Sequence, residues 1–536
     1  MGQDNFFNFL RAQQEEGKNM KRICTLLLAA GMLLGVATGA SAIDFKAKGQ
    51  WLMGFAGGEN QLINKTRTGN GPKEKLNSND KFAAQQRVRL QLDAVASESL
   101  SGTVFFEIGN QVWGSNRAGV GGGALGADGA NTIKLKRAYI DWMVPQTDLK
   151  FRMGIQGVTL PNKAGGSAIM DTDAAGITAS YQFNENVGLT ALWARPANDN
   201  YLGYQRGGNE HYNQNFLDNM DLFALMVPVK LDGFEITPWA MYGAAGKNTL
   251  TDLGSTADGN LPFTTRPYFG TPNNLANEMG GITYGNIGKT SKAYGSMFWA
   301  GLPFAITAWD PLNIEVDINY GYVESMGRYD AYKNGNTVHK RGSTERQGWL
   351  AKALVEYKMD WGVPGIFGWY GSGDDGNVKN GSERMPSIVP MGNFTSFMGD
   401  GNYGWMWVDN SLEYAGTWGI GLQVRDMSFL EDLKHTFRVA YWGGTNSPSM
   451  AKYMETAYSW NEGWGSNASP YLTTNDGLLE LNLVNSYQMY ENFDVNLELG
   501  YIANFVDNDT WKKANNSSSF QKQDAWKAQL IFAYSF

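Results

Sequence analysis

The sequence predicts an all-β fold, a transmembrane antiparallel β-barrel of about 18 strands, and three observations carry that prediction. Segments of eight to twelve residues alternate strictly between apolar and polar side chains from one end of the chain to the other. The chain stops on such a segment, with Trp526, Ala528, Leu530, Phe532, Tyr534 and Phe536 on one face and more polar residues on the other. One strand of that kind also suits a soluble sandwich, so the third observation matters. Met20-Lys21-Arg22, an apolar run from Ile23 to Val36, and Ala40-Ser41-Ala42 read as an export signal with its cleavage site.

Three regions follow. Residues 1–19 read as an upstream extension, because Gln13 to Lys18 is what a purine-rich ribosome-binding site spells when translated, which makes Met20 the expected initiator. Residues 20–42 are the expected signal peptide and 43–536 the barrel. Cys24, the single cysteine, precedes the apolar run and so is not placed to carry a lipoprotein lipid. Without residues 1–42 the chain has 40 basic and 49 acidic residues and no disulfide, so stability has to come from burial or barrel closure. A mean hydropathy of −0.36 is too polar for a helical membrane protein. After Val36 nothing approaches the roughly 20 apolar residues of a membrane helix. The acidic balance gives no basis for a nucleic-acid partner.

The strands can be justified in order. At 44–55, Phe45, Ala47, Gly49, Trp51, Met53 and Phe55 oppose Asp44, Lys46, Lys48 and Gln50. At 82–96, Val88, Leu90, Leu92 and Ala94 face out while Gln85, Arg87, Arg89, Gln91 and Asp93 face in. Further strands are expected at 101–113, 133–143, 149–156, 175–183, 187–195, 219–228, 233–243 and 293–306. The segment 312–325 sets Leu312, Ile314, Val316, Ile318, Tyr320 and Tyr322 against Asn313, Glu315, Asp317 and Asn319. The remainder fall at 347–359, 363–371, 413–427, 433–443, 476–489, 493–504 and 524–536. The total is eighteen, or sixteen if two weaker segments are not strands. Tight turns alternate with long polar loops, the asymmetry of periplasmic turns and external loops, and an even count puts both termini on the periplasmic side. A barrel this wide leaves an aqueous channel unless something plugs it, and no plug is evident in the sequence.

The hairpin Lys136-Arg-Ala-Tyr-Ile-Asp-Trp142, Val144 to Asp148, Leu149-Lys-Phe-Arg-Met-Gly-Ile-Gln156 is similar to the fourth and fifth strands of trimeric general porins. With Phe536 at the C-terminus, Gly373 to Asn377 and Ser428 to His435, the chain resembles the homotrimeric outer-membrane porins of sulfate-reducing bacteria along its mature length. The resemblance implies a channel for ions and small hydrophilic solutes, without cofactor or energy coupling. It also implies a third loop, here Gly157 to Ala174 with Lys163, Asp171 and Asp173, folded inward to narrow the pore. Loop Gly114 to Asn131, with Gly121 to Gly123 and Gly126, matches the second loop that latches onto a neighbouring subunit; a solvated loop would look the same. Phe532, Tyr534 and Phe536 resemble the C-terminal signal read by the barrel assembly machinery, with lipid and lipopolysaccharide as the other expected contacts.

Opposite the loop, the inward phase of the early strands supplies Lys46, Lys48, Arg87, Arg89, Arg137, Lys150 and Arg152. Guanidinium groups on strands about 4.8 Å apart repel, so such a wall needs acids nearby or a functional reason. The functional reading places Arg87, Arg89, Arg137 and Arg152 in a constriction facing Asp171 and Asp173; the alternative pairs the arginines with Glu107, Asp93 and Asp141 in the wall. Later strands turn acidic inside, with Glu235, Glu315, Asp317, Glu356, Glu480, Asp494 and Glu498, so ion selectivity does not follow from one wall. The alternative is a channel specific for a sugar or organic acid, since eighteen strands resemble the sugar-specific porins, whose channels guide substrate along an aromatic track; inward aromatics such as Phe105 and Tyr139 are too few to establish such a track. Asp374, Asp375 and Asn377, with Asn380 and Glu383, offer oxygens to Ca²⁺ but lack EF-hand spacing and also suit a plain turn. His211, His339 and His435 lie on separate segments, and no Ser/His/Asp grouping suggests an enzyme.

Overall fold

The structure is a computed structural model that describes residues 43–59, 62–65, 81–115, 122–124, 133–198, 217, 219–246, 292–325, 328–333, 337–392, 394–398, 414–453, 471–512 and 520–536. The upstream extension and the signal peptide lie outside the described residues. Eighteen antiparallel strands close into a barrel. They are β1 (Asp44–Glu59), β2 (Lys81–Ser97), β3 (Leu100–Val112), β4 (Ile133–Met143), β5 (Lys150–Thr159) and β6 (Asp171–Gln182). After these come β7 (Gly188–Asn198), β8 (Asn219–Met226 with Val229–Leu231), β9 (Phe234–Ile236 with Trp239–Gly246), β10 (Tyr294–Ile306), β11 (Leu312–Val323) and β12 (Arg346–Tyr357). The last six are β13 (Val363–Gly371), β14 (Thr417–Leu430), β15 (Leu433–Gly444), β16 (Gly477–Tyr490), β17 (Phe493–Asn504) and β18 (Ala525–Ser535). The breaks in β8 and β9 fall at Pro228 and Pro238, which have no N–H to give the ladder; each proline carbonyl still accepts, Pro228 from Gly188 (3.0 Å) and Pro238 from Val227 (3.0 Å).

Closure joins the two ends of the chain. β1 pairs with β18 from Gln50↔Ser535 to Glu59↔Trp526, and Gly49 and Phe536 exchange both backbone hydrogen bonds (2.7 and 3.0 Å). The outer face is what a lipid-facing wall requires. Trp142, Phe183, Trp309, Trp361, Phe429 and Tyr490 are exposed near the short turns, and Phe82, Tyr242, Tyr294, Trp349, Tyr370 and Trp418 near the loops. Leu302, Ile318, Ile366, Leu422 and Leu497 are exposed between those aromatic belts.

The interior departs from the expected open lumen. Trp239, Trp299, Phe367, Trp369 and Trp442 point inward at the loop end of the wall and are buried. Two loops cover them: loop A, residues 160–170 between β5 and β6, and loop B, between β13 and β14, of which residues 372–392, 394–398 and 414–416 are described. Phe394 of loop B stacks on Phe367 (4.7 Å) and Trp369 (5.9 Å), and Trp442 meets Trp369 edge-on at 4.3 Å. Large inward aromatics left in water would forfeit their burial energy, roughly 25 cal/mol per Å², so the loops fold over them.

Candidate functional site

The arginine row is built by the register of β2 to β5. Arg89 pairs across the ladder with Glu107, and its Nε donates to Oε2 at 2.9 Å. A bulge opposite Phe105 lets both Lys136 and Arg137 reach carboxylates. Lys136 Nζ lies 3.6 Å from Glu107 and 3.4 Å from Asp173, while Arg137 Nε donates to Asp173 at 2.6 Å. Gly157 leaves room for this, because a Cβ there would come within 2.8 Å of the Arg137 guanidinium carbon. Arg152 grips Asp141 with two bonds of 2.8 Å and covers the Tyr139 ring at 4.2 Å. Lys150 stands 3.5 Å from Asp141, and Lys48 lies 3.9 Å from Asp93. Arg87 is buried against Gly109. The wall therefore interleaves its arginines with Glu107 and Asp141, as the pairing alternative anticipates, and Asp93 goes to a lysine instead.

The acidic partners expected on the third loop are placed differently. Gly157 to Thr159 complete β5 and Asp171 to Ala174 open β6, so the loop proper is loop A. Asp173 touches Arg137 directly, and Asp171 accepts from Thr159 Oγ1 at 2.6 Å across the strand pair. No gap separates Asp173 from the arginine it was expected to face.

Loop A does fold inward, and it is fastened to the far wall. Asp317 of β11 accepts the N–H groups of Lys163 (2.9 Å) and Ala164 (3.0 Å). Lys352, the register partner of Asp317 on β12, lies 3.1 Å from that carboxylate and donates to the Gly166 carbonyl. Lys163 Nζ reaches Glu235 at 2.5 Å, and Tyr414 Oη donates to the Gly165 carbonyl at 2.8 Å. Loop B is held the same way. Glu480 of β16 accepts from the N–H groups of Phe397 (2.9 Å) and Met398 (3.1 Å), while Lys527 of β18 donates to the Ser396 carbonyl and pairs with Glu498 at 3.1 Å. Loops A and B also bond to each other, Ile388 and Val389 donating to Ile169 and Met391 to Ser167. Each clamp combines an acid that takes backbone N–H groups with a lysine that takes a carbonyl. The side chains of Lys352 and Lys527 are 0% exposed, a burial that only this full set of partners makes tolerable.

The sequence missed loop B, and a signal for it exists. Alternation fails where Phe298-Trp299, Phe367-Gly-Trp-Tyr370 and Tyr441-Trp442 put large apolar groups on both faces of a strand. Such stretches mean that the inner face is covered as well.

The remaining candidates resolve into local structure. Asp374 receives hydrogen bonds from Ser382 Oγ (2.5 Å) and Tyr471 Oη (2.6 Å); Asp375 receives them from the Asn377 N–H (2.7 Å) and Asn380 Nδ2 (3.1 Å). Asn377 Oδ1 accepts from Lys379 N–H at 3.2 Å. These oxygens are committed to a turn, and among the described residues no acidic or histidine group is arranged to hold a metal. Glu383, beside this turn, has its carboxyl pushed up to about 7 by burial and by the charges of Asp374 and Asp375. His435 Nδ1 lies 2.7 Å from Asn485 Oδ1; His211 is outside the described residues, and only the backbone of His339 is described. Of the expected latch, Gly121 and Gly126 are outside the described residues, while Gly114 and Gly122 close the base of the loop with a 2.8 Å bond. Phe532 packs between Phe55 and Phe493 at 6.2 Å from each, and the Tyr534 and Phe536 rings are 5.6 Å apart.

No protein-family model matches the chain, and no curated protein matches it. Solved structures to which it is similar include the outer membrane protein OprD from Pseudomonas aeruginosa, at 11% identity and a TM-score of 0.45, covering 94% of this chain and 96% of that one. Acinetobacter baumannii OccAB3 is similar at 10% identity and a TM-score of 0.46, over 92% and 99% of the two chains. Pseudomonas aeruginosa OccK2 (OpdF), solved in complex with glucuronate, is similar at 10% identity and a TM-score of 0.46, over 92% and 98%.

Proposed function

We propose that this chain is an outer-membrane channel through which ions and small hydrophilic solutes diffuse down their gradients, delivered by a cleaved signal peptide and assembled as a homotrimer. The observation that carries the reading is a closed 18-strand wall, apolar and aromatic outside, around a lumen lined with charge and narrowed by two loops. The loops fasten to β9–β12 and β16–β18, and among the described residues neither bonds to Arg89, Arg137 or Arg152. This supports a solute path between the loops and the wall of β2 to β5, beside Arg89, Arg137 and Arg152, with Arg87 buried in that wall. Planar-bilayer recording of the purified mature protein tests the reading: conductance closing in three equal steps is expected, and a correctly folded barrel that passes no current would reject it.

A substrate-specific channel, for a sugar or an organic acid, is the second reading. Loop B and the inward tryptophans favour it, because a lumen filled this far sieves more finely than an open ring of charge. Saturable flux would select it over simple diffusion.

A further inference from the structure

Among the described residues the inward acids Glu315, Asp171 and Asp494 are half-buried with no lysine or arginine nitrogen within salt-bridge distance, and the fully buried Glu480 also lacks one; of these four, Glu315 alone stands half-way round the ring from β2. Glu315 lies on β11 two residues before Asp317, on the same face and on the short-turn side of the point where loop A is fastened. Its neighbours are each neutralised: Asp317 by Lys352 at 3.1 Å, Glu356 by Arg425 at 2.6 Å, Glu235 by Lys163 at 2.5 Å. The Glu315 carboxylate receives a hydrogen bond from Asn313 Nδ2 at 3.1 Å and, among the described residues, no lysine or arginine nitrogen within salt-bridge distance. It is only half-buried. In the ring of eighteen strands β11 is nine places from β2, so Glu315 lies on the strand opposite the one that carries Arg87 and Arg89.

We infer that Glu315 is the specificity-determining acid of this channel, the negative pole that opposes the basic wall of β2 to β5 and draws the cationic end of a solute toward β11. The inference rests on the channel reading above and moves the acidic pole from Asp171 and Asp173 to the far wall. A carboxylate matched by a cation projects only a short-range dipole into the lumen, whereas an unmatched one keeps its full charge, and a narrowed passage between low-dielectric walls concentrates its field. Asp173 is matched by Arg137 and Lys136, so it contributes little of this kind.

The test is the reversal potential in a potassium chloride gradient for the wild type, Glu315→Gln and Glu315→Asp. Glu315→Gln is expected to lower the potassium-to-chloride permeability ratio by about twofold or more, and Glu315→Asp to restore it. Current with an unchanged ratio in Glu315→Gln would overturn the role. A second measurement needs no current: in the mature protein, which has no other cysteine, Glu315→Cys is treated with a water-soluble cationic methanethiosulfonate while the barrel is folded. Labelling is expected, and a thiol that reacts only after unfolding would overturn the inference. A labelled thiol in a barrel that never conducts would reject the channel reading, and the role of Glu315 with it.

Discussion

At Gly49 the missing side chain makes room for the end of the chain. An ideal Cβ there would lie 2.5 Å from the Phe536 ring and 2.7 Å from the Arg89 carbonyl oxygen, so Gly49→Val forces apart the strands that close the barrel. Overpacking of this kind costs roughly 1–3 kcal/mol, and urea titration of the folded barrel should show the loss. Glu383 makes a different prediction. Its carboxyl titrates near 7 in the folded loop and in the ordinary acid range when the loop is released. A folded-state value raised in this way means that loop docking has its full contribution from Glu383 below the ordinary carboxyl range and loses it as pH rises through about 7. Amide protection factors across 372–392 should fall between about pH 4.5 and 7 and level off above that, a fall of roughly tenfold at most given the partial exposure, and Glu383→Gln should remove the dependence.

At the scale of elements the two loops are the informative parts, since each depends on one carboxylate for two backbone N–H groups. Asp317→Ala would strand Lys352, fully buried, without its counter-charge, and leave Lys163 and Ala164 N–H without an acceptor. The expected cost to docking of loop A is about 3–5 kcal/mol, read as lost hydrogen-exchange protection at 160–170. Glu480→Ala should act on 394–398 in the same way and leave 160–170 largely protected. If each variant loosened both loops equally, the bonds between the loops, rather than the wall clamps, would be the anchors. The strands themselves were legible: β4, β13 and β17 begin and end where the alternation puts them, and the count of eighteen holds. The loops were not, because a run such as Lys163-Ala-Gly-Gly-Ser-Ala-Ile-Met170 has no period, and its partners are contributed by β11, β12 and loop B.

For the whole molecule, conduction depends on what the loops leave open and on the charge facing that path. Neutralising Arg87, Arg89, Arg137 and Arg152 to glutamine should raise the cation preference roughly severalfold in permeability ratio. An unchanged reversal potential would place the path elsewhere. The effect will be smaller than four free charges would give, because Glu107, Asp173 and Asp141 already offset Arg89, Arg137 and Arg152. Of the candidate site, the inward phase showed the basic residues, and Glu107 and Asp141 were among the wall partners the pairing alternative named, but the partner of Arg137 was not. Which acid meets Arg137 depends on a bulge in β4 and on the bare backbone of Gly157.

The sequence by itself determined the wall: about eighteen strands, their inward and outward faces, and the polarity of each face, because a strand's alternation is a local property repeated every two residues. Only the tertiary structure decided what fills the barrel. The contacts that bring loops A and B into the lumen join residues 154 positions apart at Lys163 and Asp317, 249 apart at Tyr414 and Gly165, and 131 apart at Lys527 and Ser396. No local pattern encodes such pairs; they exist because closure brings distant strands across one lumen, where inward aromatics need cover and buried lysines need partners.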